Sequence, residues 1–123
     1  MKRNLAGARV LIAEDNIMVA MDLASEFEAS GAEILGPFAR VQEAVAALVS
    51  GKPDGAILDV NLLDGIVTPL AVNLIETDVP VVFCTGVSLP AELAAHYPDA
   101  QVFIKPTSSD ALVDALALRL VSR

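Results

Sequence analysis

Five short apolar runs, separated by segments with helical spacing, constrain this chain more than any other feature. They lie at residues 8–13, 32–35, 56–58, 79–84 and 101–104. Runs this short suit strands buried on both faces, Ala56 to Leu58 most of all, since it has no polar break. After the first, Asn16 can cap a helix in which Ile17, Ala20, Leu23, Ala24 and Phe27 recur at helical spacing, with Gly31 as its stop. Gly36-Pro37 closes the second run. Val41, Ala44, Val45 and Leu48 repeat like a helix face within 40–49, and Gly51 to Asp54 form a loop. Further helices are expected over 69–76, where Pro69 suits a first turn, and over 90–96. Ser108 or Ser109 caps a last helix with Leu112, Leu116 and Leu120 on one side. Strict strand–helix alternation predicts an α/β fold, a parallel sheet wound on both faces through right-handed crossovers.

The whole chain of 123 residues fits one domain, with a core over about 8–121 and a tail at 1–7. A 54% hydrophobic composition agrees with a sheet covered on both sides. No apolar run approaches the ~20 residues that span a bilayer, and no signal peptide is visible, so no membrane role is expected. Cys84 is the sole cysteine, which excludes an internal disulfide and points to the cytoplasm. A formal charge of −8 opposes nucleic-acid binding and favours a cation or a basic protein surface.

Four of the runs end in residues with chemical potential: Glu14-Asp15, Asp59, Thr85 and Lys105. In a parallel sheet all carboxyl ends share one edge, so these side chains should converge. Singly, each has an ordinary explanation. Asp59 can cap or start a turn, Glu14-Asp15 can favour a helix dipole, Thr85 can bond backbone, and Lys105 can be solvated. Their coincidence at four strand ends is harder to dismiss. Crowded carboxylates call for a hard divalent cation such as Mg²⁺. A carboxylate can also attack phosphorus, with an ammonium and a hydroxyl neutralising the phosphoryl oxygens. A glycine-rich phosphate loop and a Cys/His zinc cluster are both missing, and His96 lacks a partner nucleophile turn.

With VLIAED at 10–15, ILDVNLLDG ending at Gly65, VVFCTG ending at Gly86 and FIKP ending at Pro106, the sequence resembles the receiver domain of two-component response regulators. The resemblance runs from about Arg9 to Leu120. It implies a flavodoxin-like sheet of order 2-1-3-4-5. It also implies Asp59 as phosphoacceptor for a histidine kinase or histidine phosphotransfer protein. Mg²⁺ would be held by Asp15, by Glu14 (usually through water), by Asp59 and by the backbone carbonyl of Asn61. Thr85 and Lys105 match the switch hydroxyl and the phosphoryl-binding lysine, and Lys105-Pro106 matches a peptide bond that receivers often hold in cis. The protein would then be no enzyme beyond assisting its own phosphorylation and dephosphorylation. It would be a monomer, or a dimer through the switch face of the fourth helix, fifth strand and fifth helix. Leu89, Leu93, Val113 and Leu116 are apolar residues near that face, with core packing as the competing explanation, preferred for Leu116.

The match has departures. Many receivers carry Tyr or Phe three residues before the lysine; here that position is Val102, and Phe103 should point to the opposite face. Phe83-Cys84-Thr85-Gly86 resembles the motif of the short receivers called FAT GUY regulators, but Val87 and Ser88 follow instead of a small residue and Tyr. Glu14 stands where many receivers have Asp. No output domain follows Arg123, so a complete chain of this length would act through protein binding or phosphorelay. A pseudo-receiver, binding partners without phosphorylation, is the alternative. A small-molecule phosphatase of the Asp-nucleophile type is disfavoured, because Asn61 replaces the acid expected two residues after the nucleophile.

Overall fold

In the computed structural model, which describes residues 4–121, the expected alternation is present and its register sets up one functional edge. The strands are β1 (Arg9–Ala13), β2 (Glu33–Phe38), β3 (Gly55–Leu58), β4 (Asn61–Leu62), β5 (Gly65–Ile66), β6 (Val81–Thr85) and β7 (Gln101–Ile104). The helices are α1 (Ile17–Ala29), α2 (Val41–Ala47), α3 (Thr68–Glu76), α4 (Ala91–His96) and α5 (Ser109–Val121). Five strands form one parallel sheet, ordered β2-β1-β3-β6-β7; β4 and β5 form a separate antiparallel ribbon. Numbered among the sheet strands alone, that order is the flavodoxin-like 2-1-3-4-5. No helix among the described residues is long and apolar enough to cross a membrane.

Strand pleating divides the core into two clusters, one on each face. Leu11, Ala13, Leu58, Val81 and Phe83 pack against α2, α3 and α4 through Val41, Ala44, Leu70, Leu74 and Leu93. Val10, Ile12, Ile57, Val82 and Cys84 pack against α1 and α5 through Leu23, Phe27, Leu112, Val113 and Leu116. Fully burying each of the Val, Leu, Ile and Phe side chains among these stabilises the fold by about 1.5–3 kcal/mol. The α5 helix approaches β3 closely because Gly55 has no side chain: a Cβ there would lie 3.0 Å from Leu116 Cδ1.

Several local expectations are corrected. Ile17 is 68% exposed, so the buried stripe of α1 is Ala20, Leu23 and Phe27. The second strand does not stop at Gly36-Pro37 but runs through this pair to Phe38, with an irregularity that places Phe38 beside Ala13. Lys105-Pro106 is cis, as the resemblance implies, and Gly36-Pro37 is cis as well. The helical run of 40–49 ends at Ala47 and tightens into a 3₁₀ turn over Leu48–Ser50. Leu5, in the region read as a tail, is buried in the α1/α5 cluster, and its N–H donates to Ser30 O at 2.8 Å. Leu93, Val113 and Leu116 are core residues; of the four near the switch face, Leu89 alone is partly exposed.

Candidate functional site

Every strand-end residue singled out from the sequence lies at the carboxyl edge of the sheet. Glu14 and Asp15 follow β1, Asp59 follows β3, Thr85 ends β6 and Lys105 follows β7. The backbone there is cross-linked laterally. Asp59 N–H donates to Ala13 O at 2.9 Å, Glu14 N–H to Phe38 O at 2.8 Å and Lys105 N–H to Thr85 O at 2.9 Å. The irregularity in β2 thus has a use, since it brings the Phe38 carbonyl to the residue that begins the acidic pair. Bulges near sites commonly re-aim chains in this way.

The side chains form one charged cluster. Lys105 Nζ lies 2.6 Å from Glu14 Oε1 and 3.0 Å from Asp59 Oδ2. Glu14 Oε2 accepts the Asn16 N–H at 2.9 Å, and Asp59 Oδ1 accepts the Val60 N–H at 2.7 Å. Glu14, Asp59 and Thr85 are buried, whereas Asp15 is exposed. Burial pushes the Glu14 carboxyl above its ordinary value, against the hydrogen bonds from Lys105 and Asn16 that favour its charge. Burial works to lower Lys105, but its hydrogen bonds to Glu14 and Asp59 prevail and its pKa is raised. Cys84, one residue before Thr85, is a free buried thiol pushed up by desolvation.

Oxygens of Glu14, Asp15 and Asp59 all lie within 4.8 Å of one another, a donor set that fits a hard divalent cation. Asn61 sits on β4 and is exposed. Val67 N–H donates to Val60 O at 2.8 Å, and Asn61 pairs with Ile66. The alternation of an antiparallel ladder therefore makes Asn61–Ile66 a non-hydrogen-bonded pair, and the Asn61 carbonyl is not consumed by the ribbon. Thr85 Oγ1 accepts the Val87 N–H at 3.3 Å. Val102 packs with the α2/α3/α4 cluster and Phe103 with the α1/α5 cluster, so the aromatic ring does lie on the opposite face.

Two contributors are not evident from the sequence. Asn16, read as a helix cap, caps α1 with its side chain while its N–H holds Glu14. Asp64, read only as part of a turn, accepts the N–H groups of Val41 and Gln42 at 2.6 and 3.1 Å, tying the ribbon tip to the start of α2. The Asp-Gly signal locates the turn but not its distant partner.

A buried carboxylate flanked by two acids and a lysine, at the edge of a 2-1-3-4-5 sheet, defines the class: an acidic-pocket, flavodoxin-like receiver fold. No family model matches the chain. The transcriptional regulatory protein PdtaR of Mycobacterium tuberculosis is 37% identical over 117 residues, 89% of this chain and 55% of that protein. The chain thus spans about half the length of the curated relatives it matches. SdrG from Sphingomonas melonis Fr1 is 34% identical, with 94% of this chain and 97% of that one covered and a TM-score of 0.75. The response regulator PhyR from Brucella abortus is 29% identical over 98% of this chain and 50% of that one, with a TM-score of 0.77. The chain belongs to the receiver domains of response regulators.

Proposed function

We propose that Asp59 accepts a phosphoryl group from a histidine of a partner kinase or phosphotransfer protein, and that the chain signals through phosphorylation-dependent protein binding or phosphorelay in the cytoplasm. The carrying observation is the convergence of Asp59 with Glu14, Asp15 and Lys105 at one strand edge. An Asp59 carboxylate oxygen attacks phosphorus, the N–P bond of the phosphohistidine breaks, and the imidazole leaves with the electron pair, giving an acyl phosphate. Lys105 is within reach to neutralise a phosphoryl oxygen, and Thr85 offers a hydroxyl at the end of the neighbouring strand. Glu14, Asp15, Asp59 and the Asn61 carbonyl would hold Mg²⁺, which supplies charge neutralisation when bound. The phosphoryl group favours the arrangement in which Thr85 and Lys105 face it, a population shift read at the surface.

SdrG from Pseudomonas melonis Fr1, 37% identical to this chain, has been determined in a BeF3-activated conformation. That is consistent with an intact acceptor site here. Incubation with Mg²⁺ and acetyl phosphate should add one phosphoryl mass to the wild-type chain and none to Asp59→Asn. Equal labelling of both overturns the assignment.

A second reading, the pseudo-receiver, draws support from Val102 in place of the usual aromatic. It predicts no saturable Mg²⁺ binding at this edge.

A further inference from the structure

We infer that Asp64 is a positioning residue for the Mg²⁺ site: by clamping the ribbon tip to α2 it fixes the backbone at Asn61. This inference rests on the reading of Asn61 as a carbonyl ligand. The ribbon holds only two residues in each strand, β4 (Asn61–Leu62) and β5 (Gly65–Ile66). Such an isolated ribbon is marginal in water, so its geometry must come from anchors at its ends.

Its base is anchored by the Val67-to-Val60 bond at 2.8 Å and by the Asp59-to-Ala13 bond at 2.9 Å. Its body offers one buried side chain, Leu62, while Leu63 and Ile66 are 59% and 52% exposed. The tip carries the rest. Leu63 N–H donates to Ala39 O at 2.9 Å, and the two carboxylate oxygens of Asp64 separately accept from Val41 and Gln42. Asn61 lies between the two anchors. In the same contacts α2 gains an N-terminal cap that its own flanking residue does not supply, because Arg40 makes no side-chain cap bond. One carboxylate therefore serves both the helix and the ribbon. Removing it frees the tip and lets the Asn61 carbonyl wander.

The test is Mg²⁺ titration of the full chain, followed by calorimetry and by amide shifts, in the wild type, Asp64→Ala and Asp64→Asn. Both substitutions remove the charge, but Asn keeps an oxygen acceptor. Asp64→Ala should weaken Mg²⁺ binding by about 10-fold, as loss of an outer support to a metal ligand commonly does, and Asp64→Asn, whose single acceptor oxygen can keep one of the two N–H bonds, should weaken it less. Urea midpoints identify conditions in which all three chains are folded. Equal weakening in both variants would mean long-range charge alone and would sink the inference. Unchanged affinity in both, with lowered stability, would reduce Asp64 to a helix cap and equally sink it. If the wild type binds no Mg²⁺, the metal-site reading itself fails, and the positioning role falls with it.

Discussion

Lys105 is the residue on which the electrostatics of the site balance. Its ammonium bridges Glu14 and Asp59, so it lowers the cost of keeping two buried carboxylates charged before any metal or phosphoryl group arrives. Glu14 shows that this compensation is incomplete, since burial still leaves its carboxyl raised above 4.5. A raised carboxyl means that the folded state binds the proton more tightly than the unfolded state. Its contribution to stability is present below the unfolded value and is lost as pH rises through the folded one. Lys105→Met removes the hydrogen bond that lowers Glu14, raising it further. The urea midpoint of this variant should therefore increase, as pH falls from neutral towards 4.5, more steeply than that of the wild type. A parallel dependence in the two chains would contradict this account. The strand-end residues Glu14, Asp59, Thr85 and Lys105 were legible in sequence because parallel topology forces carboxyl ends together. Asn16 was legible only as a cap, because a backbone N–H holding a neighbour's side chain leaves no sequence signature.

Among the elements, α2 is the one whose start depends on a residue 23 positions away in sequence. The Gln42 and then the Val41 N–H hold the Asp64 carboxyl below its ordinary 3.8. A depressed carboxyl contributes stability above the unfolded value, and that contribution disappears as pH falls through the folded one. The amide signals of Val41 and Gln42 should accordingly titrate together below 3.8 in the wild type and lose that transition in Asp64→Asn. Independent titration of the two amides would break the link. Helical periodicity located α1 and α5 well, because their apolar stripes face a sheet. It overextended α2, where Val49, the last apolar residue of the run, proves 91% exposed. The β4–β5 ribbon escaped notice because two-residue strands carry no alternation to read.

At the scale of the whole molecule, stability rests on two cores that share one sheet. Leu116 is fully buried and packs over Gly55, joining α5 to the central strand. Leu116→Ala should cost about 2–5 kcal/mol in denaturant unfolding, through lost burial and a residual cavity. A loss well under this would mean that α5 collapses readily onto β3. The sheet order and its covering were legible in the sequence, since five apolar runs alternating with helices leave few other solutions. The carriage of β2 through Gly36-Pro37 was not, because such a pair ordinarily marks an exit from a strand. That passage has a consequence for how the molecule keeps to itself. Proline has no N–H to offer, and the irregular register beside it spoils the even spacing that a foreign strand would need. The β2 margin is therefore a poor template for sheet extension, and a strand recruited from another chain would have to join along β7.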